Sequence, residues 1–173
     1  MINPPQNILG DINRFKAEYL DRFGEAKFLI SKPHITVGNC LLDIRKEGEL
    51  IDRLKQQIGQ VSAFEISLEG FATFDPTGVL FVVPKPILML NEIQQLLKMV
   101  FRAEFNLKSD SHKGHQNPHL TIARAYDKQQ FLDSKAHFLG KVYSAKFPLE
   151  EITVLKRTRI DPNWKSIDTL ALA

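Results

Sequence analysis

Apolar residues recur at helical spacing in several stretches of the chain, and elsewhere they alternate with polar residues or form short unbroken runs. Spacing of three to four residues predicts helices over residues 6–23, 49–58, 86–105 and 127–140. Gly24, Gly59 and Gly140 stand where the first, second and fourth of these patterns end, a common place for glycine. Asp127 is expected to cap the start of the fourth helix.

The shorter apolar runs are typical of strands. They predict strands near residues 34–42, 64–68, 70–74, 79–83, 119–123, 142–147 and 152–157, with a last one around 167–172. Asp75-Pro76-Thr77-Gly78 carries turn-forming residues at suitable positions, so the strands on either side are predicted to form a hairpin.

The two halves of the chain repeat the order helix, strand, helix, glycine, strand, which indicates an internal duplication. We therefore predict an α+β fold with largely antiparallel sheets facing a central cleft. It would be a single domain over residues 1–173, built as two pseudo-symmetric lobes from a duplicated helix-strand-helix-strand unit.

Composition bounds the class of protein. Hydrophobic residues make up 43% and charged residues 25% of the 173 residues, close to the norm for globular domains. The formal charge of +3 fits an anionic ligand but is small for a protein that coats duplex nucleic acid. Cys40 is the only cysteine, so no intrachain disulfide or cysteine-based zinc cage is expected, and we interpret it as a buried, inert thiol.

The chain shows no basic flank with an apolar run at its start, as a signal peptide would, and no apolar stretch of the roughly 20 residues that cross a bilayer. We expect a cytoplasmic protein with no membrane partner.

One repeated pattern carries the residues suited to catalysis. Pro33-His34-Ile35-Thr36-Val37 recurs as Pro118-His119-Leu120-Thr121-Ile122. Side chains alternate across a strand, so the His and the Thr of each copy share one face. One copy alone is more often a half-buried histidine on a polar face. Two facing copies would place two imidazoles and two hydroxyls around one small anion, which is the equipment for acid-base attack on a phosphodiester.

Through these two His-x-Thr motifs the sequence resembles the 2H phosphoesterase superfamily, which includes the 2'-5' RNA ligase-like enzymes, also described as RNA 2',3'-cyclic phosphodiesterases. The resemblance implies the bilobal 2'-5' RNA ligase-like fold. It also implies catalysis by His34 and His119, phosphate binding by Thr36 and Thr121, and no metal or other cofactor.

The expected activity is the opening of 2',3'-cyclic phosphates to 2'-phosphates, with reverse 2'-5' ligation. The expected partners are RNA termini or small cyclic nucleotides, with no obligate protein partner. For hydrolysis the resemblance suggests His119 as base and His34 as acid, although the residues alone do not separate the two roles.

Two weaker candidates for substrate binding are Arg124 and His115. Arg124 ends the second motif strand. It is five residues after His119, an odd number, so in a regular strand its side chain would lie on the opposite face unless the strand twists or bulges. His115 belongs to a polar loop, predicted over residues 108–116, that would border the cleft.

Other interpretations remain open from the sequence alone. A non-catalytic module that binds RNA ends or nucleotides would keep the same pocket, and a metal hydrolase would use His112, His115 and His119. The basic run 156–159 fits contact with a phosphate backbone or a solvated edge strand. Candidate base-stacking residues, each also suited to a core, are Phe74, Phe81, Tyr126 and Trp164.

Overall fold

The computed structural model describes residues 1–107 and 117–173. Its α-helices are α1 (Gln6–Phe23), α2 (Glu47–Ile58), α3 (Ile87–Met99) and α4 (Lys128–Leu139). Short 3₁₀ turns lie at Ile44–Lys46 and Asp75–Thr77, and a π-helical turn, Val100–Glu104, continues α3. The strands are β1 (Phe64–Phe74), β2 (Val79–Lys85), β3 (Leu120–Arg124), β4 (Ser144–Leu149), β5 (Glu151–Lys156) and β6 (Lys165–Ala171).

All pairing between these strands is antiparallel. One sheet has the order β3-β2-β1-β4, and β5 pairs with β6 in a second sheet. Two short segments connect the sheets: Ile35 bridges both Leu120 of β3 and Ile2, while Met1 and Thr153 of β5 exchange backbone hydrogen bonds of 2.7 and 2.9 Å. The result is the curled antiparallel sheet of an α+β domain, which confirms the predicted fold class.

Helix α1 shows why the periodic pattern predicted its bounds. Its buried face carries Ile8, Ile12 and Tyr19 at spacings of four and seven residues, and Gly24, with a φ of 80°, ends the helix in a conformation that suits glycine. Lys16 lies on the same buried face, so this helix carries one charged side chain into the interior.

Aromatic residues fill the space between α1, α4 and the sheet. The Phe138 ring of α4 is fully buried, and its centroid lies 5.3 Å from that of Phe71 in β1. On its other side it stacks on Tyr19 of α1 at 6.3 Å. Such packing joins two helices to the sheet through one side chain.

The predicted strand over residues 34–42 is wrong in extent, because only Ile35 makes bridges there. The reason lies at Gly38, where a Cβ atom would stand 3.1 Å from the Leu97 Cδ1 atom of α3. The chain thus leaves the sheet after the motif and crosses closely over α3. The strand expected over 142–147 begins instead at Ser144, and the Val142 side chain is fully exposed.

The two runs predicted over 64–68 and 70–74 form one strand, β1, whose pairing with β2 shifts register between Leu68 and Phe71. Gly70 lies at this bulge with a φ of 64°. The pseudo-symmetry of two lobes stays a prediction. None of the helices in the described residues is long and apolar enough to cross a membrane.

We predict that Phe138→Ala lowers the free energy of unfolding by about 3–5 kcal/mol, because it removes a fully buried ring and leaves a cavity between helices and sheet. Urea unfolding followed by circular dichroism measures this change. Val142→Ala serves as the control, since that exposed side chain should change stability by less than about 0.5 kcal/mol. Equal effects of the two substitutions would contradict the assigned packing.

Candidate active site

The two His-x-Thr motifs are neighbours in the fold. Ile35, at the centre of the first motif, forms an antiparallel bridge with Leu120, at the centre of the second. The antiparallel register therefore sets His34 opposite Thr121 and His119 opposite Thr36. Residues opposite each other across two strands point to the same face, so all four side chains share one face of the pair.

Burial supports this placement. In both motifs the five positions alternate in the same way: the proline, the central aliphatic residue and the last residue are buried, whereas the His and the Thr are half-buried. The central pair, Ile35 and Leu120, is fully buried on the core side. The polar residues of both motifs thus line one open surface above the core.

The register also sets the two imidazoles on a diagonal. Diagonal neighbours on paired strands lie roughly 7–8 Å apart, whereas direct neighbours lie about 5 Å apart. A phosphate between His34 and His119 would then have one imidazole on each side and one threonine beside each imidazole. In-line displacement at phosphorus needs this arrangement, because the attacking and leaving oxygens are on opposite sides.

Each histidine is oriented by the backbone just before it. The Nδ1 atom of His34 lies 2.8 Å from the Lys32 carbonyl oxygen, and the Nδ1 atom of His119 lies 3.0 Å from the Asn117 carbonyl oxygen. A carbonyl only accepts, so Nδ1 carries the proton in both rings. Nε2 is therefore the nitrogen that can exchange a proton with a substrate.

The surroundings of His34 favour the neutral ring. Burial lowers the pKa of His34, and the positive charges of Lys16 and Lys32 lower it further. The Met1 amine acts in the same direction when it is protonated, but burial lowers its own pKa to about 6. The Lys32 carbonyl opposes this effect by stabilising the protonated ring. In the protein without an anion, His34 is therefore a neutral imidazole at neutral pH.

The surroundings of His119 are aromatic. Its ring meets Phe74 edge-on with centroids 5.0 Å apart and Phe81 at 5.5 Å, and the two phenylalanine rings lie 4.3 Å from each other. Phe81 is opposite Thr121 in the β2–β3 register and is buried. These two rings, considered above as stacking candidates, thus form a wall beside the second motif.

Two buried polar residues that the sequence analysis missed support the first motif. The Nζ atom of Lys16 donates to the carbonyl oxygens of Phe28 and Ser31 at 2.7 and 2.6 Å, which fixes the turn before His34. The amide of Gln94 lies 3.4 Å from the Thr36 carbonyl oxygen. Lys16 could have been noticed, because it occupies a position of the apolar stripe of α1.

Arg124 lies on the motif face after all. The β2–β3 register shifts between Leu80 and Phe81, so Thr121 lies opposite Phe81 and Arg124 lies opposite Val79. Val79 and Phe81 are two residues apart on β2 and therefore point to the same face. This is the bulge that the parity argument required. The Arg124 Nε atom donates to the Thr77 carbonyl oxygen at 3.0 Å, which anchors the guanidinium at the end of β3.

Several other candidates fall outside this surface or outside the described residues. His112 and His115, and with them the proposed metal ligands of that loop, lie outside the described residues. Within residues 1–107 and 117–173, no group of three or more His, Cys, Asp or Glu side chains is placed to hold a metal ion. Cys40 was expected to be buried, but its side chain is only half-buried and lies outside the strands. The partial burial still raises the pKa of its thiol to about 11, which fits the inert role expected for it.

Comparison with known proteins gives a consistent picture. The family model described as the 2'-5' RNA ligase superfamily matches residues 4–161. A protein of Staphylococcus haemolyticus named "Putative phosphoesterase SH1944" is 23% identical over 175 residues, covering 98% of this chain and 95% of its own. A protein of the same description from Staphylococcus aureus strain Newman is 27% identical over 147 residues, covering 82% of each chain.

Solved structures share the fold. The protein TT0787 of Thermus thermophilus superposes with a TM-score of 0.68 at 13% identity, covering 98% of this chain and 94% of that one. LigT of E. coli, solved with 3'-AMP, superposes with a TM-score of 0.65 at 16% identity, covering 99% and 94%. At such identities the likeness concerns the fold alone.

We predict that His34 titrates with a midpoint below 6.5 and that its neutral form carries the proton on Nδ1. Nitrogen-15 NMR of the imidazoles distinguishes the two tautomers and follows the titration. Because the folded-state pKa is lowered, the unfolded chain takes up this proton first. The stability contributed by His34 is therefore present above about pH 6.5 and is lost as the pH falls through the lower folded value.

The Lys32→Gln variant is the control for this titration. It removes an exposed positive charge that lowers the pKa of His34 but leaves the carbonyl that orients the ring. The midpoint should rise while the tautomer stays the same. A midpoint of 6.5 or higher in the unsubstituted protein would contradict the environment described for His34.

Proposed function

This chain belongs to the 2'-5' RNA ligase superfamily, and we propose that it is a metal-independent phosphodiesterase that opens 2',3'-cyclic phosphates of RNA ends or small nucleotides to 2'-phosphates. Phosphoesterase chemistry is what the family supports; the cyclic substrate is our proposal. The observation that carries it is the Ile35–Leu120 bridge, which puts two histidines and two threonines on one face.

In the proposed hydrolysis, His119 accepts a proton from water as the water oxygen bonds to phosphorus. The bond from phosphorus to the ribose 3' oxygen breaks on the opposite side, and that oxygen takes a proton from His34. The product is a 2'-phosphate with a free 3' hydroxyl. The turnover leaves His119 protonated and His34 neutral, and both recover their starting states by proton exchange with solvent.

The environment of His34 has to be reconciled with its role as acid, since burial and nearby cations keep it neutral in the protein without an anion. A bound phosphate brings a negative charge within a few ångströms of the ring, which favours the protonated form. We therefore propose that His34 takes up its proton together with the substrate. The acid is then formed only in the complex that uses it.

The two threonines are suited to the non-bridging oxygens of the phosphate. Each hydroxyl is a donor and lies opposite a histidine in the register, so the negative charge on those oxygens can be stabilised from both strands. Arg124, anchored at Thr77, is proposed only as a peripheral contact to substrate. LigT of E. coli, which shares the fold, was solved in complex with 3'-AMP, and this supports a nucleotide substrate here.

Formation of a 2'-5' linkage follows from the same geometry, with a different nucleophile. If the 5' hydroxyl of a second RNA takes the place of water, its oxygen bonds to phosphorus, the 3' oxygen leaves, and a 2'-5' linkage results. The proton transfers are unchanged, so ligation needs no further residue. We propose it as a secondary activity.

We predict that His34→Ala and His119→Ala each lower kcat on a 2',3'-cyclic mononucleotide by about 10²–10⁴-fold, because each removes one proton transfer. The double variant should be far less than multiplicatively worse. His137→Ala is a matched control, because this histidine is bound to Glu18 at 2.6 Å in the α1–α4 interface and lies outside the motifs. It should leave turnover within about threefold of the unsubstituted protein, an expectation for a residue that acts in neither proton transfer.

These assays are run with excess chelator. Activity that disappears with chelator and returns with zinc or manganese would support the metal hydrolase and contradict the proposal. An absence of turnover in the unsubstituted protein, with tight binding of the cyclic nucleotide, would support the non-catalytic module.

The roles of the two histidines are tested by the leaving group. We predict that His34→Ala loses much less activity on a nitrophenyl phosphodiester than on a cyclic nucleotide, because nitrophenolate leaves without protonation by an acid. His119→Ala should lose similar activity on both substrates, since water needs a base in each case. If the His119→Ala variant instead keeps its activity on the nitrophenyl substrate, His119 is the acid and His34 is the base.

A further inference from the structure

The hairpin tip is the loop of residues 157–164 between β5 and β6, and it exposes apolar side chains. Ile160 is 97% exposed and Trp164 is 56% exposed. The Arg157 guanidinium lies over the Trp164 ring, 4.6 Å from its centroid, in a cation–π contact. The tip therefore offers a large aromatic surface with a cation held against it.

The tip is an ordered turn. The Thr158 amide donates to the Asp161 carbonyl oxygen at 2.8 Å, and the Asp161 amide donates to the Thr158 hydroxyl at 2.9 Å. The Asn163 amide donates to the Asp161 carboxylate at 3.2 Å. These bonds hold the exposed side chains on a defined backbone.

The charge of the tip is positive. The neighbouring lysines are paired, Lys156 with Glu47 and Lys165 with Asp161, each at 2.5 Å. Among the residues that the structure describes, neither Arg157 nor Arg159 forms an ion pair with a carboxylate. Two arginines thus remain to interact with an external anion.

The strand pairing gives the distance from the tip to the motifs. Thr153 pairs with Met1, and the Ile2–Ile35 bridge sets Met1 level with Thr36. Lys156, where the tip begins, is three residues further along and two strands across. At about 3.3 Å per residue and about 4.8 Å per strand, the separation is roughly 14 Å.

A separation of this size is more than a mononucleotide bound at the motifs would reach. It suits a short strand, since single-strand binding folds typically cover about 4–16 nucleotides. A cyclic phosphate is the 3' end of its RNA, so the rest of the strand must leave the site in one direction. In the other direction, away from the hairpin tip, β3 continues past Arg124 to the exposed Tyr126. The anchored Arg124 stands between the motifs and Tyr126 along the chain. We therefore assign the rest of the RNA strand to the direction of the tip.

We propose that the hairpin tip binds the single-stranded RNA that precedes the cyclic phosphate, with a base stacked on Trp164 and the phosphates contacted by Arg157 and Arg159. This proposal rests on the proposed function and names its substrate class as an oligonucleotide. Stacking on an aromatic ring accepts any base, so the tip selects single strands by length and not by sequence.

Trp164 is the only tryptophan of the chain, so its fluorescence reports on the tip directly. The probe is a six-nucleotide RNA that ends in an unreactive 3'-phosphate. It should quench the fluorescence, whereas a mononucleotide 3'-phosphate at the same concentration should not. The double substitution Arg157→Ala and Arg159→Ala should weaken binding, and the logarithmic salt slope should become shallower by roughly 0.7 for each phosphate that is no longer neutralised.

Kinetics provide the second test. With a hexanucleotide that ends in a 2',3'-cyclic phosphate, Trp164→Ala should raise KM roughly 5- to 100-fold, the range expected when one base stack is removed. With the cyclic mononucleotide the same variant should behave as the unsubstituted protein. Tyr126→Ala, an exposed aromatic at the other end of β3, is the matched control and should change neither KM.

The outcomes separate this proposal from the proposed function. If the protein turns over the cyclic mononucleotide but Trp164→Ala does not change KM for the hexanucleotide, the hairpin site is overturned and the proposed function stands. Fluorescence quenching by the hexanucleotide without any turnover would support the hairpin site and contradict the proposed phosphodiesterase activity. Equal quenching by an acidic peptide would identify the tip as a protein-docking surface and overturn the RNA proposal.

Discussion

The site depends on one backbone pairing, the bridge between Ile35 and Leu120. Strand side chains alternate with a period of two, so this pairing alone decides which side chains of both motifs face outward. A slip of one residue in either strand would turn one histidine into the core and expose an aliphatic residue in its place. The full burial of both central residues opposes that slip. The same hydrophobic contact therefore stabilises the fold and aligns the chemistry.

Few strand hydrogen bonds hold the first motif, because Ile35 is its only bridge residue and the chain leaves the sheet by Gly38. Its position comes instead from the helices behind it. Lys16 of α1 holds the turn before His34, and Gln94 of α3 contacts the carbonyl of Thr36. A buried charge in a helix is costly unless its hydrogen bonds are satisfied, and both strong bonds of Lys16 go to this turn. Burial also lowers the pKa of Lys16, to about 8.

The sequence was sufficient for features that depend on local patterns. Residue periodicity predicted both bounds of α1 and the end of α2, although α2 begins two residues earlier than expected. The hairpin around Asp75–Thr77 and the shared face within each motif likewise follow from turn chemistry and strand alternation. Features that depend on contacts between distant segments were not accessible. The early exit of the first motif strand requires the approach of Gly38 to Leu97, and the face of Arg124 requires the bulge opposite Leu80 and Phe81. No local pattern specifies either contact.

The repeated motif gives both histidines the same orientation, but it does not by itself make one an acid and the other a base. Both rings have the same tautomer because each donates Nδ1–H to the carbonyl two residues before it. Their wider surroundings differ: the cations Lys16 and Lys32 lie near His34, and two phenylalanine rings lie beside His119. A mechanism with one acid and one base needs two groups that bind protons differently at the same pH. Duplication alone yields two equal groups, so the difference has to come from outside the motifs. Lys16 and Lys32 lower the pKa of His34, which opposes its role as acid. In the proposed mechanism it is therefore the negative charge of the bound phosphate, and not the surroundings of the ring in the free protein, that brings His34 to its protonated form.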